Sequence, residues 1–328
     1  MSYDIIGDIH GHAEALEALL HKMGYRVSHG CWRHPGRQVI FVGDFIDRGP
    51  KQLETVDIAR RMVDHGAALA VMGNHEFNAI AWHTPDPASP GEFLRPHNSP
   101  KWGDKNRQQH AAFLAEVEGK PGLYQEVIDW FMTLPLWLDL PGLRVVHACW
   151  HASHMDYLSS HLRDSRYLTP EVLPHLAKEP DDPEEKDRPE PSPFKALEAI
   201  AKGIEVPLPD PHFFVDKDGH KRRRVRVRWW DPDATDFRSA AMLPDKVREA
   251  LPRDPIPAHA RIPLDAKPTF FGHYWFRGTP APLTPHAACL DYSIAKGGAL
   301  VAYRWNGEPA LDANAFVHVG NADEAETA

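Results

Sequence analysis

The stretch GDFIDRG at residues 43–49 follows an apolar run, QVIFV at residues 38–42, that has the length and β-branched content of a buried strand. Two carboxylates at the end of a buried strand are expensive to remove from water unless a positive group meets them. Two similar junctions flank this one, IIGDIHG at residues 5–11 and VMGNHE at residues 71–76. These three strand ends predict a metal centre with Asp44 in its middle.

The composition is that of a soluble globular protein, with 328 residues of which 42% are hydrophobic and 25% charged. A net charge of −9 argues against a general nucleic-acid binder. No window approaches 18 uninterrupted apolar residues, so we expect no membrane span, and a first strand that starts at Tyr3 leaves no room for a signal peptide. An odd number of cysteines without CxxC spacing predicts free thiols and a cytoplasmic location: Cys31, Cys149 and Cys289.

Strands and helices alternate at the start of the chain. Apolar patterns predict strands at residues 3–6, 39–42 and 67–72, and helices at residues 12–23 and 50–65. This β-α-β-α-β order predicts an α/β fold with a parallel or mixed sheet and helices outside it. Functional groups would then lie at the carboxyl ends of the strands.

Strand patterns return later in the chain, at residues 134–140, 143–146, 269–273, 288–292 and 299–305. His147 directly follows the second of these strands, and His273 ends the third. Both histidines therefore join the set of polar side chains at predicted strand ends.

The middle of the chain, residues 152–262, has a different character. Residues 179–193 form an acidic, proline-rich linker that we expect to be solvated or disordered, and residues 212–230 read as a hairpin. A row of arginines on one face of the second arm is either a solvated sheet face or an electropositive wall that steers an anionic substrate: Arg222, Arg224, Arg226 and Arg228. Residues 321–328 are predicted to be a disordered tail.

Six side chains at or just past the predicted strand ends are candidate metal ligands: Asp8, His10, Asp44, Asn74, His147 and His273. Their carboxylate, imidazole and amide groups suit divalent metals such as Mn²⁺, Fe²⁺ and Zn²⁺. Six ligands are too many for one catalytic ion that keeps open positions, but they suit two ions about 3.5–4 Å apart that share a carboxylate. Asp44, on the central strand, is the natural bridge.

The three junctions, in their order and spacing, resemble the signatures of the phosphoprotein phosphatase family. That family lies within the calcineurin-like metallophosphoesterases and includes serine/threonine phosphatases and bacterial diadenosine tetraphosphatases. His147 and His273 look like its two later histidine ligands, and Trp229-Trp230-Asp231-Pro232 resembles its Trp-x-Asp-Pro element. The resemblance is specific over residues 3–82 and weaker over residues 134–150 and 269–305.

The resemblance implies a four-layer α-β-β-α sandwich of two mixed sheets flanked by helices. Residues 1–151 and 263–320 would form this core, and residues 152–262 would be an inserted region that caps the metals and sets substrate choice.

The resemblance also implies two divalent metal ions, with Mn²⁺ preferred and Fe, Zn, Ni or Co as alternatives. The first ion would be held by Asp8, His10 and Asp44, and the second by Asp44, Asn74, His147 and His273. A hydroxide between the ions would attack phosphorus in line.

The same resemblance assigns the remaining roles. His75 would be the general acid, oriented by Asp47, and Arg48 would bind phosphate. A second phosphate-binding arginine is expected after the Trp-x-Asp-Pro element, where Arg238 is the nearest candidate.

Three functions stay open. The first expectation is hydrolysis of a phosphomonoester, either a small phosphate or a phosphoprotein. The second is cleavage of dinucleoside polyphosphates, for which aromatic side chains that could hold a base are available: Trp150, Trp229, Trp230, Trp275 and Phe276. The third is a nucleotide- or protein-binding module without turnover. The sequence GHYW at residues 272–275 lacks the second histidine of the Gly-His-x-His pattern common in related diesterases, which favours a monoester or phosphoanhydride substrate.

Overall fold

The computed structural model of the chain describes residues 2–216 and 219–321. In these residues the strands are β1 (Ser2–Ile6), β2 (Arg26–Ser28), β3 (Cys31–Arg33), β4 (Arg37–Phe41), β5 (Ala68–Ala70), β6 (Trp137–Leu140), β7 (Leu143–Val146), β8 (Glu205–Pro207), β9 (Phe214–Val215), β10 (Lys221–Arg222), β11 (Arg224–Arg226), β12 (Thr269–Phe271), β13 (Ala287–Cys289), β14 (Asp291–Tyr292), β15 (Ala299–Trp305) and β16 (Phe316–Gly320). The α-helices are α1 (Ala13–Lys22), α2 (Gln52–Asp64), α3 (Asn74–His83), α4 (Gly103–Gln109), α5 (Ala111–Val117), α6 (Pro121–Phe131), α7 (Ala152–Ser159), α8 (Leu173–Ala177), α9 (Pro193–Lys202), α10 (Phe237–Ala240) and α11 (Asp245–Arg248).

Two mixed sheets organise these strands. The first has the order β14-β15-β1-β4-β5, with β16 also paired to β15. In it β1, β4 and β5 are parallel, whereas β15 runs antiparallel to β1. The second sheet has the order β13-β12-β7-β6, in which β6 is antiparallel to β7 and the other pairs are parallel. The α/β fold with two mixed sheets is confirmed.

The sheets pack against each other on one face and against helices on the other. In β4, Ile40 belongs to the core between the sheets together with Val145 and Phe270 of the second sheet. Its neighbours Val39 and Phe41 point the opposite way, into the core that includes the apolar faces of α1 and α2. Every one of these side chains is fully buried. A strand buried on both faces explains why its sequence is continuously apolar rather than alternating.

One predicted strand is wrong. Residues 288–292 are divided between two sheets, since β13 pairs with β12 and β14 pairs with β15. Leu290 lies at the crossing point, and its N–H donates to the carbonyl of Phe271 at 2.7 Å. The buried Asp291 carboxylate accepts the N–H groups of Trp275 and Ser293, which fixes the bend.

The middle region contains the predicted hairpin in shortened form. β9 pairs with β10, and residues 217–218 of the turn lie outside the described residues. β11 pairs instead with β8, a strand that the sequence analysis did not predict. The predicted linker contains a short 3-10 helix, Pro183–Asp187.

The middle region is tied to the rest of the chain by hydrogen bonds as well as by packing. The indole N–H of Trp229 donates to the carbonyl of Ala148 at 2.9 Å. The carbonyl of Ile200 accepts the N–H groups of Ala148 and Cys149. The division into a core and a cap stays a prediction, as does the disordered tail, of which residues 322–328 lie outside the described residues.

Two smaller expectations can be compared with the structure. The three cysteines are buried and unpaired, as predicted. Within the described residues, every helix is too short or too polar to cross a bilayer.

Candidate metal centre

The predicted ligands meet where strands of both sheets end. Asp8 and His10 follow β1, Asp44 follows β4, Asn74 follows β5, His147 follows β7 and His273 follows β12. Two groups have ligand atoms within 4.8 Å of one another, namely His10, Asp44 and His75, and Asp44, His147 and His273. Asp44 belongs to both groups, which is the position expected of a bridging ligand.

One oxygen of Asp44 has three imidazoles around it. Its Oδ2 lies 3.4 Å from Nε2 of His147, 3.7 Å from Nε2 of His10 and 3.9 Å from Nε2 of His75. These separations exceed the usual hydrogen-bond length, so the four groups surround a space instead of closing on one another. The other oxygen accepts the backbone N–H of His75 at 3.0 Å, which fixes the orientation of the carboxylate.

Two buried atoms beside Asp44 lack a hydrogen-bond partner in the described residues, Oδ1 of Asp8 and Nε2 of His273. The second oxygen of Asp8 accepts the N–H of His273, and Nδ1 of His273 lies 2.8 Å from Oδ1 of Asn74. A buried polar atom without a partner costs about 1–3 kcal/mol. Divalent cations would satisfy both atoms, so the donor set fits metal binding.

Backbone carbonyls orient two of the histidines. Nδ1 of His10 lies 2.9 Å from the carbonyl of Ile46, and Nδ1 of His147 lies 2.8 Å from that of Val42. A carbonyl only accepts, so Nδ1 carries the proton in both rings. In the neutral form of each ring, Nε2 then holds the lone pair and faces Asp44, as metal-ligating histidines require.

Glu76 holds the two central junctions together, a role that the sequence analysis did not assign. Its buried carboxylate accepts three backbone N–H groups, from Asp44 at 2.8 Å, Phe45 at 2.8 Å and Gly73 at 3.0 Å. Burial, followed by the charge of Asp44, raises the pKa of Glu76 to about 7. Glu76 therefore fixes the loop after β4 against the start of α3.

Asp47 contacts two histidines, of which only one was predicted. Its Oδ2 lies 2.5 Å from Nδ1 of His75 and 2.7 Å from Nδ1 of His110. His110 is buried between α4 and α5. Its sequence context contains no motif, so only the fold reveals its position.

These contacts set the protonation of His75. Burial alone would lower the pKa of His75, but the carboxylates of Asp44 and Asp47 outweigh it and raise that pKa above 6.5. For the carboxyl group of Asp47 burial acts in the opposite direction and would raise the pKa, yet the contacts with His110 and His75 lower that pKa to about 2. The pair therefore consists of an ionised aspartate and a histidine that readily holds a proton.

Arg48 lies at the mouth of the cluster and is exposed. Its guanidinium carbon is 5.9 Å from the centre of the Trp275 ring, which in turn lies 5.8 Å from the His10 ring. An exposed guanidinium this close to the candidate ligands is placed to meet an anion.

Arg238 is positioned differently. Its Nε and Nη2 both donate to the carbonyl of Leu251, at 3.0 and 2.9 Å. This bidentate contact ties α10 to the end of the segment that carries α11, so the structure offers no support for Arg238 as a phosphate ligand.

Several site residues have a left-handed backbone, which is uncommon for residues other than glycine. The φ angles are 49° at His10, 53° at Asp44, 70° at Asp47, 80° at Arg48 and 74° at His273. Each such residue costs about 1 kcal/mol or more, and the cost persists only where the surrounding structure enforces it. Strain concentrated at predicted ligands is typical of a functional site.

The family model of calcineurin-like phosphoesterases matches residues 1–198 of the chain. This range contains β1, β4 and β5 and the junctions that follow them, together with His147. It ends before His273, so the last predicted ligand lies outside the matched range.

Curated relatives match a short stretch with high identity. Bis(5'-nucleosyl)-tetraphosphatase PrpE [asymmetrical] of Oceanobacillus iheyensis is 43% identical over 76 residues, which are 23% of this chain and 30% of that protein. The protein of the same name from Geobacillus thermodenitrificans is 49% identical over 76 residues, 23% of this chain and 31% of its own length. The match thus spans less than one third of these relatives.

Solved phosphatases match at lower identity over more of the chain. A protein serine/threonine phosphatase from Saccharomyces cerevisiae has a TM-score of 0.48 and 14% identity, covering 100% of this chain and 81% of that one. A cold-active protein-tyrosine phosphatase from Shewanella has a TM-score of 0.47 and 13% identity, covering 94% of this chain and 78% of that one.

Proposed function

The chain belongs to the calcineurin-like phosphoesterase family, and we propose that it is a two-metal phosphohydrolase that cleaves a phosphoanhydride bond of dinucleoside polyphosphates. The observation that carries the catalytic part of the proposal is the arrangement around Asp44. Three imidazoles face one of its oxygens, and among the described residues one buried atom each of Asp8 and His273 has no hydrogen-bond partner.

The proposed ligand sets follow from that arrangement. Asp8, His10 and Asp44 would hold one ion, and Asp44, Asn74, His147 and His273 would hold the other. When bound, two divalent ions supply Lewis acidity that activates water and neutralises phosphate charge. The family implies divalent ions; we propose Mn²⁺ as the preferred metal because oxygen and imidazole ligands are mixed in the set.

His75 is the proposed general acid. Its Nδ1 is held by Asp47, which leaves Nε2 directed toward Asp44 and the space between the ligands. A leaving oxygen needs a proton, and the raised pKa of His75 keeps that proton available near neutral pH. Arg48 would bind the phosphate oxygens from the exposed side.

The choice of substrate rests on the relatives and on the aromatic side chains. The relatives with 43–49% identity are named as tetraphosphatases, which favours the second of the three functions considered from the sequence. Of the aromatic candidates, Trp150, Trp229 and Trp230 are at most 8% exposed. Trp275 and Phe276 are half-buried and therefore offer the more accessible surfaces for a base.

A single incubation separates the proposal from its alternatives. The Mn²⁺-loaded protein is mixed with diadenosine tetraphosphate, a phosphopeptide or p-nitrophenyl phosphate, and products are identified by phosphorus NMR. We expect AMP and ATP in equal amounts, as the asymmetrical cleavage named for the relatives would give. Phosphate release only from the two monoesters would instead establish the first function. The Asp44→Asn variant is the matched blank. Binding of nucleotide without any hydrolysis would show the third function, a binding module without turnover.

A further inference from the structure

A cavity of about 560 Å³ lies beside the candidate metal centre, lined by residues of the middle region and by the segment after β12. Its volume is within the range of about 300–1,000 Å³ that small-molecule pockets span. One part of the wall is cationic, with Arg226, Arg228 and Arg248. Another part is apolar and includes Met242 and Phe276.

The arginine row of the sequence analysis divides at this cavity. Arg222 and Arg224 are paired with Asp216 and Asp187, respectively, and do not line it. Arg226 and Arg228 do line it. These two arginines are ion-paired as well, Arg226 with Glu205 at 3.3 Å and Arg228 with Asp231 at 3.4 Å, so their charge in the cavity is partly neutralised.

The three arginines of the wall retain hydrogen-bonding capacity. Arg226 contacts Glu205 at 3.3 Å and Arg248 contacts Asp245 at 2.7 Å, each through Nη2. Arg228 donates Nε and Nη2 to the carbonyl of Ser239. A guanidinium carries five N–H donors, so in the described part of the chain each of the three has donors left for an anion.

The cavity connects to the metal centre through consecutive residues. Tyr274 lines the cavity and directly follows His273, and the two ring centres are 5.6 Å apart. The guanidinium carbon of Arg226 lies 6.0 Å from the Tyr274 ring centre. The wall of the cavity therefore adjoins a candidate metal ligand.

We propose that this cavity binds a nucleoside monophosphate unit, the end of a substrate whose scissile phosphate lies at the metal centre. The arginines bind the phosphate, and the base lies against the half-buried ring of Phe276 and the side chain of Met242. The carboxylate of Asp231, which also lines the cavity, accepts a hydrogen bond from the ribose or from an amino group of the base. This inference rests on the proposed function and names the residues that select its substrate.

The mixed wall favours this occupant over a bare anion. Inorganic phosphate would use the arginines but leave the apolar part of the cavity in contact with water. A nucleobase would cover this apolar part and stack on the aromatic side chain.

The test measures binding without metal, so that it does not depend on catalysis. AMP, ribose 5-phosphate and adenosine are titrated by calorimetry into EDTA-treated protein. AMP is expected to bind at least tenfold more tightly than either fragment. Arg248→Gln should lower the affinity for AMP about tenfold. The described hydrogen bond of Arg248 is to Asp245, three residues earlier on the same short helix.

Arg222→Gln is the matched control, because Arg222 belongs to the same row but is exposed outside the cavity. It should bind AMP as the wild-type protein does. Arg228→Lys keeps the charge and should lower the affinity for AMP less than Arg228→Gln does. Unfolding temperatures are recorded for every variant. Absence of AMP binding, equal affinity for ribose 5-phosphate, or unchanged affinity in Arg248→Gln overturns the inference.

Failure of the proposed function would look different. An Mn²⁺-loaded protein that hydrolyses no phosphate compound refutes the activity, whatever the metal-free titrations show. An active protein in which Arg248→Gln leaves the KM for diadenosine tetraphosphate unchanged refutes the cavity alone. The expected result is a KM raised about tenfold for diadenosine tetraphosphate and unchanged for p-nitrophenyl phosphate, which has no nucleoside.

Discussion

At the scale of single residues, the candidate centre depends on how the Asp44 carboxylate is stabilised. An ionised carboxylate with 2% exposure requires positive partners or N–H donors. In the described part of the chain, the N–H of His75 donates to Asp44, and three imidazoles surround its Oδ2 at 3.4, 3.7 and 3.9 Å. Burial would raise the pKa of Asp44, but the imidazoles of His147, His75 and His10 lower it well below its usual range, and a bound cation would take over this role.

Replacing His75 by alanine separates proton donation from metal binding. We expect kcat to fall by about 10²- to 10⁴-fold, the usual contribution of a positioned general acid. Mn²⁺ binding should persist, because the six proposed ligands remain. Calorimetric titration and steady-state kinetics measure the two effects, with His83→Ala on the same helix as control. A wild-type kcat in His75→Ala would show that another group protonates the leaving oxygen.

His154 provides a prediction about pH and stability away from the metal centre. Burial, followed by the charges of His151 and Lys195, lowers the pKa of His154 from 6.5 to about 3. The unfolded chain takes up this proton below pH 6.5 and the folded chain does not, so the folded state loses stability as the pH falls from about 6.5 toward about 3. At pH 5 the loss from this group is about 2 kcal/mol.

The His154→Leu variant should therefore lose less stability on acidification. Urea unfolding at pH 7.5 and pH 5 gives the difference for each protein, and the wild-type difference should exceed that of the variant by about 2 kcal/mol. His161→Leu, at an exposed histidine just beyond the same helix, is the control. Equal pH dependence in wild type and His154→Leu would mean that His154 protonates normally in the folded protein.

At the scale of elements, strand ends and glycines bring the ligands into contact. Gly272 directly follows β12 and precedes His273, and a Cβ on it would come within 1.9 Å of Oδ1 of Asp8. That oxygen has no hydrogen-bond partner in the described part of the chain. Only a residue without a side chain lets the second sheet approach the first at this point.

Gly272→Ala is therefore expected to displace the carboxylate of Asp8 and to weaken binding at the first proposed metal position. The affinity for the tighter Mn²⁺ should fall at least tenfold in a calorimetric titration, and kcat should fall with it. Gly122→Ala is the matched control, since a Cβ there meets no atom within 4 Å. An unchanged Mn²⁺ affinity in Gly272→Ala would place the ion away from Asp8.

The sequence predicted the elements whose signal is local. The parallel strands β1, β4 and β5 are continuous apolar runs followed by glycine and acid, so their type and their functional ends were recognisable. The bend at Leu290 was not, because it depends on the buried Asp291 accepting N–H groups from Trp275 and Ser293. Contacts between distant parts of the chain leave no periodic pattern in the amino-acid sequence.

The same distinction applies to the site. The six proposed ligands were predicted from strand ends, and the roles of Asp47 and His75 were predicted from the family resemblance. His110 and Glu76 were missed as contributors, the first because no motif surrounds it and the second because its role is to accept backbone N–H groups from another loop. Arg238 was the opposite case. It was chosen because it follows a motif, but its side chain donates to the backbone carbonyl of Leu251.

At the scale of the whole molecule, the centre joins the two sheets. Asp8, Asp44 and Asn74 come from the first sheet, and His147 and His273 from the second. The shared core between the sheets already holds them together. Ligands from both sheets on one pair of ions would add a second connection, so metal binding should stabilise the entire fold and not only its loops.

Metal removal should therefore lower the melting temperature of the whole protein in one transition. Each Mn²⁺ at 100 times its Kd adds about 2.7 kcal/mol to the free energy of unfolding. With an unfolding entropy of about 2.1 cal/mol/K per residue, 1 kcal/mol corresponds to about 1.5 °C for a chain of 328 residues, so one site should raise the melting temperature by about 4 °C over that of the EDTA-treated protein. Scanning calorimetry with and without Mn²⁺ measures the rise.

Asp44→Asn tests whether that rise comes from the proposed centre. The amide keeps the shape of the side chain and an oxygen for the N–H of His75, but it removes the negative charge that the surrounding imidazoles stabilise and that bound cations would meet. We expect the EDTA-treated variant to melt below the EDTA-treated wild type, and Mn²⁺ to raise its melting temperature much less than that of the wild type. A full Mn²⁺-dependent rise in Asp44→Asn would place the stabilising ions elsewhere, and the bridging role of Asp44 would have to be abandoned.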